Sequence, residues 1–278
     1  MGINVKNVTF SYSKDKPLFN NLNLEISDTP KIITIIGSTG SGKSTLAQML
    51  NGILLPLNGE IEVFDKTIKP KKNKKLKDVR QNVGLVFQFP EYQLFEETVL
   101  KDVMFGPSNF KNLKGNALNL AKNALKDLNI EENIYEKSPF NLSGGQQRKI
   151  ALAGILAINP KVLILDEPTV GLDSKARSEL MNIIVKLKNE EQRIIIIITH
   201  DMDLVSKLSD RVIVLNEGKI TFDGNKDDLF NNEQLLIDNS LDLPIISKIA
   251  KELKKEGLID YQKIPLTYIE LLKVINHE

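Results

Sequence analysis

Three short runs of the chain are almost entirely apolar, and they lie far apart in the sequence. They are Ile32 to Ile36, Val162 to Leu165 and Ile194 to Ile198. Runs of this length without alternation predict central parallel strands that are buried on both faces. Before them, the stretch from Ile3 to Ile26 alternates apolar and polar residues, which predicts a half-exposed antiparallel sheet. Because helical patterns separate the three runs, we expect an α/β core with crossover connections.

Two other regions follow a helical pattern. Residues from about 90 to 159 contain no convincing strand, and Asn116 to Leu128 has helical spacing, so we expect a helical subdomain inserted in the core. After Gly224 apolar residues again recur at helical spacing, between Leu243 and Leu253 and from Tyr268 to Ile275. We therefore expect a main domain over residues 1–228, with a small helical domain over residues 229–278.

The composition limits the classes of function. The chain has 278 residues, of which 41% are hydrophobic and 26% charged, with a formal net charge of +1 and no cysteine. These values are ordinary for a globular protein and give no overall attraction to nucleic acid or anionic lipid. No apolar run approaches the ~20 residues that span a bilayer, so we expect a cytosolic chain whose membrane connection passes through a partner. The basic stretch from Lys69 to Lys77 is open to two interpretations, a solvated loop or a contact with an acidic membrane surface.

One motif points to chemistry directly. Residues 37–44 fit G-x-x-x-x-G-K-[ST], between the first apolar run and a helical stretch that begins at Thr45. In this context the glycines let backbone N–H groups surround a polyphosphate at a helix N-terminus. Lys43 is then expected to reach the β- and γ-phosphates, and the Ser44 hydroxyl to bind Mg²⁺. The sequence predicts that the chain binds a nucleoside triphosphate.

Further motifs follow in a fixed order. The pentapeptide Leu142 to Gln146 precedes a helical stretch from Gln147 to Ile158, and the second apolar run ends at Asp166 and Glu167. After these come Gly171-Leu172-Asp173, then His200, while Gln88 lies between the phosphate loop and the pentapeptide. Over residues 1 to about 225 this order resembles the nucleotide-binding ATPase of ABC transporters. The resemblance implies a RecA-like core with an N-terminal antiparallel sheet and a helical subdomain.

The resemblance also implies roles for individual residues. Asp166, with Ser44 and Gln88, is expected to hold Mg²⁺, and a carboxylate at the end of a buried strand suits that role. Glu167 is expected to orient and deprotonate the attacking water, with His200 between the γ-phosphate and this base. Gln88 is expected to contact the water and to sense a transport partner.

The remaining motif residues are expected to contact nucleotide from two sides. Tyr12 matches the aromatic that stacks on adenine, although an exposed aromatic on an edge strand remains an alternative. The signature residues and Asp173 are expected to act on nucleotide held by a second subunit. The segment before Asp173 departs slightly from the family, with Val170-Gly171 where Ser-Ala is usual. The full ATP-binding set is Tyr12, Gly37, Ser38, Thr39, Gly40, Ser41, Gly42, Lys43, Ser44 and Thr45, and the signature set is Ser143, Gly144, Gly145 and Gln146.

Two segments indicate which ABC ATPase this is. The stretch from Val86 to Pro107 resembles the ATPases of energy-coupling factor transporters, in particular the second of their two types, and the segments 241–244 and 264–267 resemble that subunit's C-terminal domain. This implies a sister ATPase in a heterodimer, with a homodimer left open, a transmembrane coupling protein and a substrate-binding membrane subunit. It also implies a peripheral position at the cytoplasmic membrane face, uptake of vitamins or metal ions, and dimerisation through residues 229–278. The residues expected to contact the coupling protein are Phe89, Pro90, Tyr92 and Phe95.

A second class of function stays open at this point, a soluble ABC ATPase that acts on nucleic acid or ribosomes. Repair ATPases of this class carry a long coiled coil between phosphate loop and pentapeptide, where this chain has only roughly a hundred residues. Translational ABC factors carry two cassettes, whereas each motif occurs once here. The nearly neutral net charge also fits a nucleic-acid binder poorly. These observations favour the transport ATPase.

Overall fold

Ten strands form two sheets in the computed structural model, which describes residues 2–13, 16–70 and 76–276. The basic stretch falls partly outside these ranges, since residues 71–75 are not described. The strands are β1 (Ile3–Phe10), β2 (Phe19–Ile26), β3 (Ile32–Ile36), β4 (Asn58–Val63), β5 (Lys66–Ile68), β6 (Val83–Val86), β7 (Val162–Asp166), β8 (Ile194–Ile198), β9 (Arg211–Asn216) and β10 (Lys219–Gly224).

The central sheet has six strands in the order β10-β9-β3-β8-β7-β6. Strands β9, β3, β8, β7 and β6 run parallel, and β10 pairs antiparallel with β9 at one edge. All three apolar runs form central strands whose residues are buried throughout, as predicted, with β7 extending one residue further to Asp166. Since parallel strands end at a common edge, the residues that follow β3, β6, β7 and β8 meet there.

The second sheet is antiparallel, in the order β2-β1-β4-β5. The alternation between Ile3 and Ile26 matches strands β1 and β2, whose apolar residues face the core. Strands β4 and β5 complete the sheet, and the alternating N-terminal stretch did not predict them. The buried face of this sheet shares one hydrophobic cluster with residues of β3, β7 and β8.

Helices connect and cover the strands. No strand lies between residues 90 and 159, all of which the structure describes, and this region forms three α-helices, as expected of a helical insertion. The α-helices are α1 (Lys43–Leu50), α2 (Leu76–Asn82), α3 (Val99–Ser108), α4 (Ala117–Asp127), α5 (Gly144–Leu156), α6 (Ser174–Asn189), α7 (Met202–Leu208), α8 (Lys226–Phe230), α9 (Glu233–Asp238), α10 (Ile245–Lys255) and α11 (Tyr268–Ile275).

The helix α5 begins earlier than its apolar spacing predicts. The apolar pattern starts at Gln147, whereas the first helical residue is Gly144, which agrees with the expectation that Ser143, Gly144 and Gly145 begin the helix. Ser143 caps the helix, because its Oγ accepts a hydrogen bond from the backbone N–H of Gln146 and the Gln146 side chain accepts one from the backbone N–H of Ser143. The two glycines have low helix propensity, so this first turn depends on the cap rather than on apolar spacing.

The C-terminal helices pack directly on the main body. Ile36, the last residue of β3, belongs to a cluster that also contains Phe230, Ile264 and Leu266. The predicted C-terminal helical domain thus shares a hydrophobic cluster with the central sheet. Among the described residues, no helix is long and apolar enough to cross a membrane.

Candidate functional site

The phosphate loop connects β3 to α1 at the carboxyl edge of the central sheet. Gly37 has φ +143°, and a Cβ there would lie 1.9 Å from the carbonyl oxygen of Leu215. Gly42 has φ +106°, and a Cβ there would lie 2.7 Å from the ring of Phe19. Both positions therefore require glycine, for conformation and for space. The loop has the geometry that its sequence predicts.

Two side chains of the loop, those of Lys43 and Ser41, are positioned to bind an anion. The Lys43 ammonium donates hydrogen bonds of 2.9 Å to the carbonyl oxygens of Gly37 and Ser38, so it lies over the loop. Burial lowers the pKa of Lys43, against the opposing effect of Glu167 and Asp166. The buried hydroxyl of Ser41 has no hydrogen-bond partner among the residues that the structure describes. A buried polar group without a partner is costly, and a phosphate oxygen in the loop would satisfy it.

Asp166 ends β7 opposite the start of α1. Its side chain is largely buried, and the Ser44 hydroxyl lies near enough to it to lower its pKa. Burial raises the pKa of Asp166, although the Ser44 hydroxyl and the charge of Lys43 work in the other direction. A carboxylate and a hydroxyl oxygen that lie near each other fit the oxygen ligands that Mg²⁺ prefers.

Glu167 has an unusual backbone for its residue type. Its φ is +47°, in the left-handed region, and its backbone N–H donates to the carbonyl oxygen of Ile198 at 2.8 Å. The carboxylate lies 2.8 Å from Nδ1 of His200 and accepts a hydrogen bond of 3.3 Å from the Thr199 hydroxyl. The carboxylate is thus held between two residues that follow β8, and the His200 side chain remains 72% exposed. The sequence predicted Glu167 and His200 together but not Thr199.

Tyr12 reaches the opposite end of the phosphate loop. Its hydroxyl lies 2.9 Å from Oγ1 of Thr45, and its ring packs edge-on against Phe10 with 5.0 Å between centroids. The ring is otherwise 69% exposed, so one face is available to a planar ligand. Gln88 follows β6 by two residues and is exposed at the same sheet edge.

The signature residues lie in a different cleft. This cleft of about 890 Å³ is lined by Ser143, Gly144, Gly145 and Gln146, and also by Asp173, whose carboxylate caps α6. None of its lining residues belongs to the phosphate loop. A single chain therefore does not bring its signature residues onto its own phosphate site.

The loop after Gln88 carries exposed aromatic side chains. Phe89 has φ +55°, Tyr92 is 84% exposed, and the Phe95 ring packs edge-on against Phe105 at 4.8 Å. Pro90 is buried, so of the four residues predicted to contact a partner it shapes the loop rather than its surface. Phe95 and Phe105 line a largely apolar groove of about 610 Å³ between the loop and helices α3 and α5.

Sequence patterns missed several residues of this region. Phe105 belongs to the groove through its place on α3, and Asp102 accepts hydrogen bonds from the backbone N–H groups of Phe95 and Glu96. Arg148 pairs with Glu91, 57 residues earlier in the chain. No local spacing indicates such a long-range contact, whereas the helical position of Phe105 could have been noticed.

Comparison with known proteins identifies the family of the chain. The ABC transporter family model matches residues 19–170, a little over half of the chain. The energy-coupling factor transporter ATP-binding protein EcfA2 of Streptococcus agalactiae is 47% identical over 283 residues, covering 100% of both chains. The chain belongs to this family of ATP-binding proteins.

Solved structures of ABC cassettes share the fold. The cbiO1 protein of Clostridium perfringens, part of the ABC transporter complex cbiONQ, is 37% identical with a TM-score of 0.75, over 92% of this chain and 96% of that one. A dimeric post-hydrolysis state of the ATP-binding cassette MJ0796, bound to ADP and Pi, is 28% identical with a TM-score of 0.70, over 80% and 98% of the two chains. The chain is thus an ABC-type ATPase of the energy-coupling factor class with a P-loop α/β fold.

Proposed function

We propose that the chain hydrolyses ATP as one of two ATPase subunits of an importer, at the sites described above. One observation carries the proposal. The phosphate loop follows β3, Asp166 and Glu167 lie at the end of β7, and His200 follows β8. All of them therefore meet at the carboxyl edge of one sheet. This is the arrangement that positions a triphosphate between a cation site and a base.

The chain's own residues would hold the nucleotide as follows. Backbone N–H groups of the phosphate loop, with Lys43 and Ser41, bind the phosphates at the start of α1. The Tyr12 ring lies on the adenine, since its hydroxyl is held at Thr45 beside that loop. Ser44 and Asp166, with Gln88, hold Mg²⁺, which neutralises phosphate charge when bound.

Glu167 acts as the general base in this proposal. Its carboxylate is held by Thr199 and lies against His200, and the residue before it is the Mg²⁺ ligand. In this position it can take a proton from a water that attacks the γ-phosphate, while His200 fixes the carboxylate on that side. A positioned base of this kind typically contributes ~10²–10⁴-fold to the rate.

A complete site requires a second ATPase subunit. The signature cleft and the phosphate loop lie on separate surfaces, so Ser143 to Gln146 would bind the γ-phosphate held by a sister chain, with Asp173 at the junction. The dimeric MJ0796 cassette supports a pair of this kind. We propose a heterodimer, and a homodimer would build its sites in the same way. Residues 229–278 are proposed as the additional dimerisation domain.

The groove beside the loop after Gln88 would bind the membrane partner. It is apolar and is lined by Phe95 and Phe105, and a cytoplasmic helix of a transmembrane coupling protein fits such a groove. Phe89 and Tyr92 lie on the same loop beside it, and Tyr92 is exposed. The cbiO1 relative is part of a multisubunit ABC complex, which supports this arrangement. We therefore propose a peripheral position at the cytoplasmic membrane face, a further substrate-binding membrane subunit, and uptake of vitamins or metal ions.

Isolation of the assembly tests the proposal. A tagged full chain, solubilised in detergent from its own membranes and analysed by mass spectrometry, should carry a sister ATPase and two membrane proteins. That complex should hydrolyse ATP with Mg²⁺ and stop when Mg²⁺ is chelated. Recovery of the chain with ribosomes or nucleic acid, and without membrane proteins, would contradict the proposal.

A further inference from the structure

Arg148, on the first turns of α5, connects three parts of the molecule through one guanidinium group. Its Nε and Nη2 donate to the two carboxylate oxygens of Glu91 at 3.1 and 3.0 Å. Its Nη1 donates to the carbonyl oxygen of Val170 at 2.8 Å, with that of Pro168 at 3.5 Å. The guanidinium carbon also lies 5.9 Å from the centre of the Phe89 ring. The planar fork of arginine matches this set of acceptors, and a lysine ammonium does not.

The pair is shielded from water. The side chains of Arg148 and Glu91 are 12% and 15% exposed. Burial opposes ionisation of Glu91, yet hydrogen bonds from Arg148 and from its own backbone, with the charge of Arg148, hold the pKa of this carboxyl below its usual range. A shielded pair with good geometry loses much when one partner is removed, because the other charge is left uncompensated.

Each partner of Arg148 belongs to a loop that the proposed function needs. Glu91 lies three residues after Gln88 and directly before Tyr92, in the loop assigned to the membrane partner. Val170 lies between Glu167 and Asp173, and Arg148 follows Ser143 by five residues on the signature helix. A movement of any one of these segments therefore strains the hydrogen bonds to the other two.

We propose that Arg148 is a positioning residue that makes the Gln88 loop, the signature helix and the Asp173 loop move as one body during ATP hydrolysis. Arg148 contacts no nucleotide in this arrangement and acts through the segments it joins. The inference rests on the proposed function, since it assigns a coupled motion to the parts of that site.

The chain contains a matched control in a place remote from these loops. Arg211, on β9, donates from Nε and Nη2 to Asp223 at 2.6 and 2.5 Å, and from Nη1 to the carbonyl oxygen of Glu25 at 2.9 Å. The pair thus has the same fork and the same additional carbonyl contact, but it joins β9 to β10 and to the end of β2. Any general cost of replacing such an arginine by lysine appears in Arg211→Lys as well.

The test measures ATP hydrolysis by the full chain in its detergent-solubilised complex, with Mg²⁺, for Arg148→Lys and Arg211→Lys. We expect Arg148→Lys to lower kcat about 10- to 100-fold, as misplacement of catalytic parts does, with KM for ATP within about twofold because no nucleotide contact is lost. Arg211→Lys should keep kcat within about twofold. Equal kcat losses in the two variants, or a raised KM with unchanged kcat for Arg148→Lys, would overturn the proposal.

A second variant keeps the test decisive if Arg148→Lys does not fold. Glu91→Gln retains the shape of the side chain and removes its charge, and we expect it to lower kcat without raising KM. If Arg148→Lys does fold, the double variant Arg148→Lys/Glu91→Gln should be at most about twofold slower than the slower single variant, since both changes break the same connection. Additive losses would show two independent roles. Wild-type turnover is measured first, so absence of ATPase activity there counts against the proposed function and not against Arg148.

Discussion

Glu167 combines an uncommon backbone conformation with a carboxylate that two neighbouring side chains hold in place. A φ of +47° is rare for a residue with a side chain, and such conformations persist where the surrounding structure enforces them. Here the enforcing contacts are the hydrogen bond to Ile198 and those to Thr199 and His200. The carboxylate lies against Thr199 and His200 and is near enough to Lys43 of the phosphate loop to raise the pKa of its ammonium.

Glu167→Gln should bind ATP normally and hydrolyse it far more slowly. The amide keeps the size of the side chain and can still pair with His200, but it cannot accept a proton. Loss of a general base typically costs ~10²–10⁴-fold, so turnover should fall to a hundredth or less of wild type. The measurement is phosphate release under saturating ATP, with binding followed by a fluorescent ATP analogue. Glu233→Gln, an exposed glutamate on α9, serves as control, and a Glu167→Gln variant that keeps more than about a tenth of the activity would exclude this role.

At the scale of elements, the strength of the hydrophobic signal decides what the sequence reveals. The isoleucine runs predict β3 and β8 to the residue, because strands buried on both faces are composed mainly of apolar residues. The run in β9 carries the same signal and could have been used. The short hairpin of β4 and β5 was not predicted, since it depends on cross-strand pairing rather than on periodicity. Among site residues, the loop motifs were predictable, whereas Arg148 and Thr199 depend on tertiary contacts.

The loop after Gln88 allows a direct test of partner binding. Tyr92→Glu and Phe95→Glu should each weaken assembly with the membrane partner, because a charge replaces an exposed aromatic ring of the loop that we assign to that partner. Phe95 also lines the apolar groove. Anchors of this kind are worth ~2 kcal/mol or more, about thirtyfold in affinity. ATP binding by the purified subunit should be unchanged.

The matched control for these two variants is Leu118→Glu, an exposed apolar residue of α4 outside the groove. Complex yield and uptake into proteoliposomes are compared for the three variants. Wild-type yield and uptake with both Tyr92→Glu and Phe95→Glu would show that the partner binds elsewhere.

At the scale of the whole molecule, the separation of the signature cleft from the phosphate loop makes a head-to-tail pair the natural working unit. Ser143→Arg should therefore impair hydrolysis of the nucleotide held by the sister chain in a heterodimer, because the larger cation fills the space of its γ-phosphate contact. Lys43→Ala should show the opposite pattern, with nucleotide lost from this chain's own loop. Nucleotide crosslinking to each subunit separates the two. An effect of Ser143→Arg on this chain's own nucleotide alone would contradict the head-to-tail arrangement.

The hydrophobic cluster around Ile36 has a consequence for truncated forms of this chain. Phe230, Ile264 and Leu266 cover the strand that leads directly into the phosphate loop. A truncated cassette that stops before α8 would uncover this apolar surface beneath its own ligand site, and surfaces of that kind promote aggregation. The C-terminal helices therefore cover the hydrophobic core beneath the nucleotide site, and a shortened cassette is a poor substitute for the full chain.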